Sequence, residues 1–330
     1  MRIVTTYAGF DIGGTKCAVT LGHAAGAAGE QIELVDKAAF STESTPEATL
    51  DKLTAQLELL LNRHPAERER LKAIGISCGG PLDSRNGLIL SPPNLPNWDR
   101  VDVITPIKQH FGVPVGLQND ANACALAEWQ WGAGQGTRNM IFLTFGTGMG
   151  AGLILDGRLY TGTNDNAGEV GHIRLAEVGP VGYNKAGSFE GFCSGGGIAR
   201  LAQSKVTERL AAGQDLPSFY RPPHEITTKA VAEAARQGDP QALQIFGEVG
   251  RMLGRGIAVL IDIINPQRIV IGSIYARQQE LLDPYLFEEL RREALSGSAA
   301  ICEIVPAGLG DHVGDYAALS VARNLMEKRD

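Results

Sequence analysis

Two hydrophobic periods run along the chain. Residues 3–10, 17–21 and 32–40 carry the dense apolar pattern of strands, the first two joined by Asp11-Ile12-Gly13-Gly14-Thr15-Lys16. A helical period follows. Thr45 supplies an N-cap, Pro46 suits the first helical position, and Leu50, Leu53, Leu57, Leu60 and Leu61 recur on one face. Residues 73–77 predict a short buried strand ended by Gly79-Gly80-Pro81. Pro92-Pro93-Asn94-Leu95-Pro96-Asn97 must be irregular, because its prolines fix φ and remove donors. Residues 113–117 predict a strand and alanine-rich Asp120–Trp131 a helix. A second hairpin is predicted from strands at 141–144 and 152–155 around Phe145-Gly146-Thr147-Gly148-Met149-Gly150-Ala151.

Beyond it, helices at 198–211, 228–236 and 241–264 alternate with strands at 268–271 and 301–305, before a last helix at 315–328. The alternation predicts an α/β fold. Two strand–glycine-turn–strand units, neither running into a helix, predict a duplicated architecture with a phosphate hairpin in each half. Residues 213–224, with Pro217, Pro222 and Pro223, are the best candidate for a disordered loop. The stripe Gly247, Gly250, Gly254 predicts close packing of one helix against a neighbour, with nucleotide contact as the lesser alternative.

Bulk properties narrow the function classes. The 330 residues allow two domains and an ample core. A net charge of -7 without a basic cluster argues against a nucleic-acid partner. The longest apolar run, 256–264, is broken by Asp262, so no membrane span is expected. Five scattered cysteines suit reduced cytoplasmic thiols.

Four segments carry candidate chemistry. In the first turn, Gly13 and Gly14 let backbone N–H groups approach an anion, Thr15 and Lys16 can donate to phosphate, and Asp11 can hold Mg²⁺ through water; an ordinary hairpin turn is the alternative. Gly146-Thr147-Gly148-Met149-Gly150-Ala151 fits the dinucleotide fingerprint, but a strand follows where that fingerprint needs a helix, so the phosphate-hairpin reading is kept. Asp120 is either a helix N-cap or the base that deprotonates an attacking hydroxyl, with Asn119 beside it as donor and acceptor. Glu169, His172 and Glu190 together would suit a polyhydroxylated ligand.

In order and spacing these segments resemble the ROK (repressor, ORF, kinase) family over nearly the whole chain. Asp11–Lys16 is similar to the family's D-x-G-G-T-K phosphate motif. Asn119-Asp120-Ala121-Asn122 resembles its catalytic segment, and residues 143–172 its signature, ending in G-E-x-G-H. Residues 265–272 resemble the segment entering the nucleotide site.

The resemblance implies a two-domain actin-like/hexokinase (ribonuclease H-like) ATPase fold with an interdomain cleft. Its small domain would be 1–117, rejoined by the helix 312–330, and its larger domain 118–311. It implies ATP and Mg²⁺ as cofactors, Asp120 as base, and sugar contacts from Asn94, Asn119, Asp120, Glu169, His172 and Glu190. ATP contacts would come from Asp11, Gly13, Gly14, Thr15, Lys16, Gly146, Thr147, Gly148, Gly150 and Gly272. A cytoplasmic homodimer is the family expectation.

Many members carry C-x-C-G-x-x-G-C-x-E, whose cysteines bind structural zinc with the His of G-E-x-G-H. Here those positions are Val181, Tyr183 and Ser188, so no structural zinc is expected. At Gly272-Ser273 many members have two or more glycines. The expected activity is phosphoryl transfer from ATP to a hexose or N-acetylhexosamine, most simply at the 6-hydroxyl. The alternatives are a sugar-sensing repressor and a catalytically silent binding protein. Such repressors carry an N-terminal helix-turn-helix, for which the span before Asp11 leaves no room.

Overall fold

The computed structural model describes residues 5–25 and 31–327. The chain begins with strands β1 (Thr5–Ile12), β2 (Lys16–Ala25) and β3 (Gln31–Ser41), then helices α1 (Pro46–Arg63) and α2 (Pro65–Arg70). Strand β4 (Leu71–Cys78) leads through short strands β5 (Leu82–Asp83), β6 (Leu88–Leu90) and β7 (Asp99–Asp102) to α3 (Thr105–Phe111), β8 (Val115–Asn119) and α4 (Asp120–Trp131). Next come β9 (Met140–Phe145), β10 (Met149–Leu155), β11 (Arg158–Tyr160) and the small hairpin β12 (Val181–Gly182) and β13 (Lys185–Ala186). Helices α5 (Phe189–Phe192), α6 (Gly195–Ala211), α7 (Thr228–Arg236) and α8 (Pro240–Ile264) follow, then β14 (Arg268–Ile271) and α9 (Ile274–Glu293). The chain ends with α10 (Ser296–Ala299), β15 (Glu303–Pro306) and α11 (Val313–Glu327).

Packing divides the chain into two compact units: one of Met1–Arg138, Gly152–Ala167 and Asp311–Asp330, the other of Asn139–Ala151 and Gly168–Gly310. Residues 118–138 and 152–167, expected in the larger domain, group with the first unit. For the former the reason is α4 against α11, where the Ser320 hydroxyl, fully buried, donates to the Ala123 carbonyl at 2.9 Å. The start of the first strand and residue 328 of the last helix lie outside the described residues.

The first unit holds a five-stranded sheet of order β3-β2-β1-β4-β8, with β1, β4 and β8 parallel. The leucine stripe of α1 is buried as its period requires: Leu53, Leu57 and Leu60 are fully covered and share a core with Phe10, Val19 and Ile76. α11 lies directly on this sheet. A Cβ at Gly75 in β4 would stand 1.9 Å from the Ala318 carbonyl oxygen.

In the second unit, β14 pairs in parallel with β9 and β15. The glycine stripe of α8 is a packing seam. Side chains at Gly250 and Gly254 would meet the carbonyl oxygens of Leu282 and Leu286 in α9 at 2.8 and 2.5 Å. α9 itself has no counterpart in the sequence reading. Pro284 lies within it and Gln278 is non-helical, which interrupts the pattern although Leu282, Leu286 and Leu290 share a buried face. Residues 213–224, expected as a disordered loop, form an irregular but anchored segment. Phe219 is buried, and the Ser218 N–H donates to Asp239 at 2.7 Å. No helix among the described residues is long and apolar enough to cross a membrane.

Gly75→Ala should lower thermal stability by roughly 1–3 kcal/mol or more, because its new methyl overlaps backbone rather than a movable side chain. Gly297→Ala, which meets nothing within 4 Å, should change the melting temperature little.

Candidate active site

In the first unit, the carboxyl ends of β1, β4 and β8 lie in a row. Ile12 pairs with Cys78, and Cys78 with Asn119. In open α/β sheets this edge is where ligands sit. Asp11 closes β1, and Asn119-Asp120 leaves β8 two strands away, roughly 10 Å at ordinary strand spacing. The cap role falls to the preceding residue: Asn119 is the N-cap of α4, its Oδ1 accepting the Asn122 N–H at 2.7 Å. Asp120 is the first helical residue, its carboxylate accepting the neighbouring Ala121 N–H at 2.8 Å.

Burial pushes the Asp120 carboxyl above its usual range, and the Ala121 N–H partly offsets it. The side chain nonetheless keeps exposed surface, so protein ranges around it without covering it. Asp11 is pushed up to about 6, by burial first and then by the charges of Asp120 and Asp315, against the pull of Lys37. Among the described residues no group of three or more His, Cys, Asp or Glu can hold a metal ion. Mg²⁺ does not require one, since it binds through one or two carboxylates, waters and substrate phosphates. Asp11, whose ionised form a nearby cation would favour, fits that mode.

The first glycine turn is closed by the Gly13 N–H on the Lys16 carbonyl at 3.2 Å and braced by the Thr42 hydroxyl on the Gly13 carbonyl at 2.6 Å. Thr15 and Lys16 stand exposed at its tip. Gly14 has a packing reason beside the phosphate one, because a Cβ there would lie 2.1 Å from the Asn94 carbonyl oxygen. The irregular proline segment thereby brings Asn94 against this turn.

In the second unit, β9 turns into β10 through Gly146-Thr147-Gly148. A strand follows the glycines, which removes the dinucleotide-fold alternative. The Gly150 N–H donates to the Thr144 hydroxyl at 2.9 Å, and the Met149 N–H to the Glu190 carboxylate at 3.1 Å. Glu190, expected to contact sugar, therefore also fixes the glycine turn. Its Cβ sits 3.3 Å from where a side chain at Gly171 would begin, which ties in the 3-10 turn Val170–His172. Glu169, just before that turn, is exposed.

Beyond the carboxyl ends of β9 and β14 lies a recess of about 510 Å³ lined by Gly146, Thr147, Gly195, Gly196, Ala199, Ile226, Thr227, Thr228, Lys229, Ser273, Ile274 and Arg277. Gly146 and Thr147, two of the expected ATP contacts, line it. Gly148 and Gly150 face Glu190 and Thr144, and Gly272 backs onto the Phe142 ring while Ser273 takes the wall. The sequence reading missed Gly195 and Gly196, although a capping serine followed by three glycines before a helix was a legible signal. Ser194 caps α6 by accepting the Gly197 N–H at 2.9 Å, and the Gly195 N–H reaches the Gly146 carbonyl at 2.8 Å. The positive end of α6 thus points to this wall. Lys229 and Arg277 had no local signal. A second recess of about 360 Å³, lined by Pro81, Asp83, Arg85, Asn86 and residues 163–166, contains none of the expected sugar contacts.

These features agree with known proteins. A glucokinase of Streptomyces coelicolor is 31% identical over 325 residues, 96% of each chain. The repressor Mlc of Escherichia coli is 30% identical over 74% of this chain and 59% of its own length. The structure of a Streptomyces griseus glucokinase in complex with glucose and AMPPNP superimposes with a TM-score of 0.71 at 30% identity, covering 97% of this chain and 99% of that one. The fold is accordingly the mixed α/β, actin-like ATPase type of the ROK hexokinases. Residues 7–324 match the ROK family, and the chain belongs to it.

Proposed function

We propose that this protein is an ATP-dependent sugar kinase that moves the γ-phosphate of ATP to a hydroxyl, the 6-hydroxyl in this reading, of a hexose or N-acetylhexosamine. The observation that carries the reading is Asp120. It starts a helix whose cap is another residue, and its carboxyl is raised by burial while still reachable from solvent. A base so placed accepts the proton of an attacking hydroxyl, and positioning and charge neutralisation supply most of the rest. Asn94, Asn119, Asp120, Glu169, His172 and Glu190 would hold the sugar.

The recess in the second unit suits a nucleotide in size and chemistry. Ile226, Ile274 and Ala199 give apolar wall for a base, and the Gly146–Thr147 turn and the start of α6 offer backbone N–H groups to phosphates. Asp11 would hold Mg²⁺ through water, and that ion, when bound, supplies neutralising charge at the phosphates. Thr15 and Lys16 would donate to phosphate oxygens. The glucokinase relatives, one crystallised with glucose and an ATP analogue, support this donor and acceptor class. A cytoplasmic homodimer belongs to the same reading. The likeness to Mlc supports a second reading, a sugar-sensing regulator.

A coupled ADP-release assay with Mg-ATP over a panel of hexoses and N-acetylhexosamines separates the two. Sugar-dependent turnover is expected, and Asp120→Asn should lower kcat by roughly 10²–10⁴-fold while the variant stays folded. An active Asp120→Asn removes the base role, and silence across the panel with a folded protein favours the regulator.

Asp11 gives a pH prediction. Its folded value of about 6 lies above the ordinary 3.8, so it penalises the fold only where it is ionised. Well below the ordinary value of 3.8 both states are protonated and the penalty vanishes. As pH rises past the folded value the penalty becomes complete. In chelator-containing buffer, Asp11→Asn should therefore raise stability by on the order of 1–3 kcal/mol at pH 7–8 and by almost nothing near about pH 3. Thermal melts across pH read this directly.

A further inference from the structure

The β12–β13 hairpin has only two residues between its paired positions, Gly182 with Lys185. Those residues, Tyr183 and Asn184, have φ of +47° and +62°, the geometry of a type I′ turn. Asn tolerates that region, whereas a bulky Tyr pays strain there. Something must hold Tyr183 in place, and its neighbour is His172. The two rings meet edge to face, with centroids 4.8 Å apart at 71°. Next along the hairpin, the Lys185 ammonium donates to the His172 carbonyl at 2.7 Å. The hairpin thus grips His172 at both ring and backbone.

The rest of the segment is tied without metal chemistry. Ser188, fully buried, donates to the Gly182 carbonyl at 3.3 Å and accepts the Gly191 N–H at 3.0 Å. Arg174 donates to the Ala186 carbonyl at 2.8 Å. The zinc that the family resemblance implies does not fit this donor set. Val181 offers no ligand atom, the Ser188 hydroxyl is already committed, and the Tyr183 ring lies against the one imidazole present.

We propose that Tyr183 is a positioning residue for His172: its strained place at the hairpin tip fixes the imidazole by ring packing, the task that a metal would otherwise perform. The inference rests on the sugar-kinase reading for its kinetic consequence only. Tyr183 is 63% exposed and contributes little to the core, so its loss separates positioning from folding.

The test compares Tyr183→Phe and Tyr183→Asn with the wild type. Tyr183→Asn relieves backbone strain, so its melting temperature should hold or rise. Its KM for the sugar should increase roughly 3- to 10-fold with kcat changed less. Tyr183→Phe, which keeps the ring, should match wild type. In NMR spectra of the unliganded protein, the His172 ring-proton resonances should shift in Tyr183→Asn and stay put in Tyr183→Phe. Unchanged KM and unchanged His172 resonances in Tyr183→Asn would overturn the proposal, as would stoichiometric zinc by elemental analysis of wild-type protein. Should the wild type phosphorylate no sugar, the kinase reading fails, and the His172 resonances still decide the positioning role.

Discussion

Two carboxylates at one edge of a sheet set the terms for the first unit. Asp11 lies at the carboxyl end of β1 and Asp120 directly follows β8, strands of the same parallel array, and the charge of Asp120 makes Asp11 harder to ionise. A fold selected for stability alone has no use for that repulsion. Its cost is met by the surrounding packing: α11 against Gly75, the leucine face of α1, and Asn94 against Gly14. The same edge carries the cysteine Cys78, whose thiol burial and both carboxylates push upward, so it is held neutral and inert between them.

The second unit meets a related problem with neutral groups. Its glycine turn, the start of α6 and the segment after β14 bring backbone N–H groups and small residues to one recess. Glycine is required where chains nearly touch. Gly197 faces the Gly191 carbonyl and Gly171 the Met149 carbonyl, each closer than a side chain allows. Glu190 belongs to this framework as much as to any ligand, since it accepts the Met149 N–H. One carboxylate therefore couples the turn that suits phosphate to the segment carrying Glu169 and His172.

Departures from the family pattern become intelligible on the same terms. Ser188 replaces a metal-ligand position with a hydroxyl that makes two local hydrogen bonds, and Tyr183 replaces another with a ring against His172. Ser273 adopts φ +57° and ψ -107° at the start of α9 and lines the recess of the second unit.

Local features were legible in the sequence because their cause is local. The leucine period of α1, the cap at Thr45, the two glycine hairpins and the glycine spacing along α8 all depend on residues within a turn or two of one another. The sequence also narrowed Asp120 to two roles. The motif alone did not show that the cap goes to Asn119 or that burial raises the Asp120 carboxyl. The same holds for α9, whose internal Pro284 masks a face defined by packing on α8. It holds for Lys229 and Arg277, which share a recess only after α7 and α9 are in place. It holds too for the grouping of α4 with α11, where Ser320 reaches Ala123 across 197 positions. Periodicity and capping are properties of neighbouring residues, so the sequence determines them; burial, close approach and electrostatic coupling join distant ones, so only the folded chain decides them.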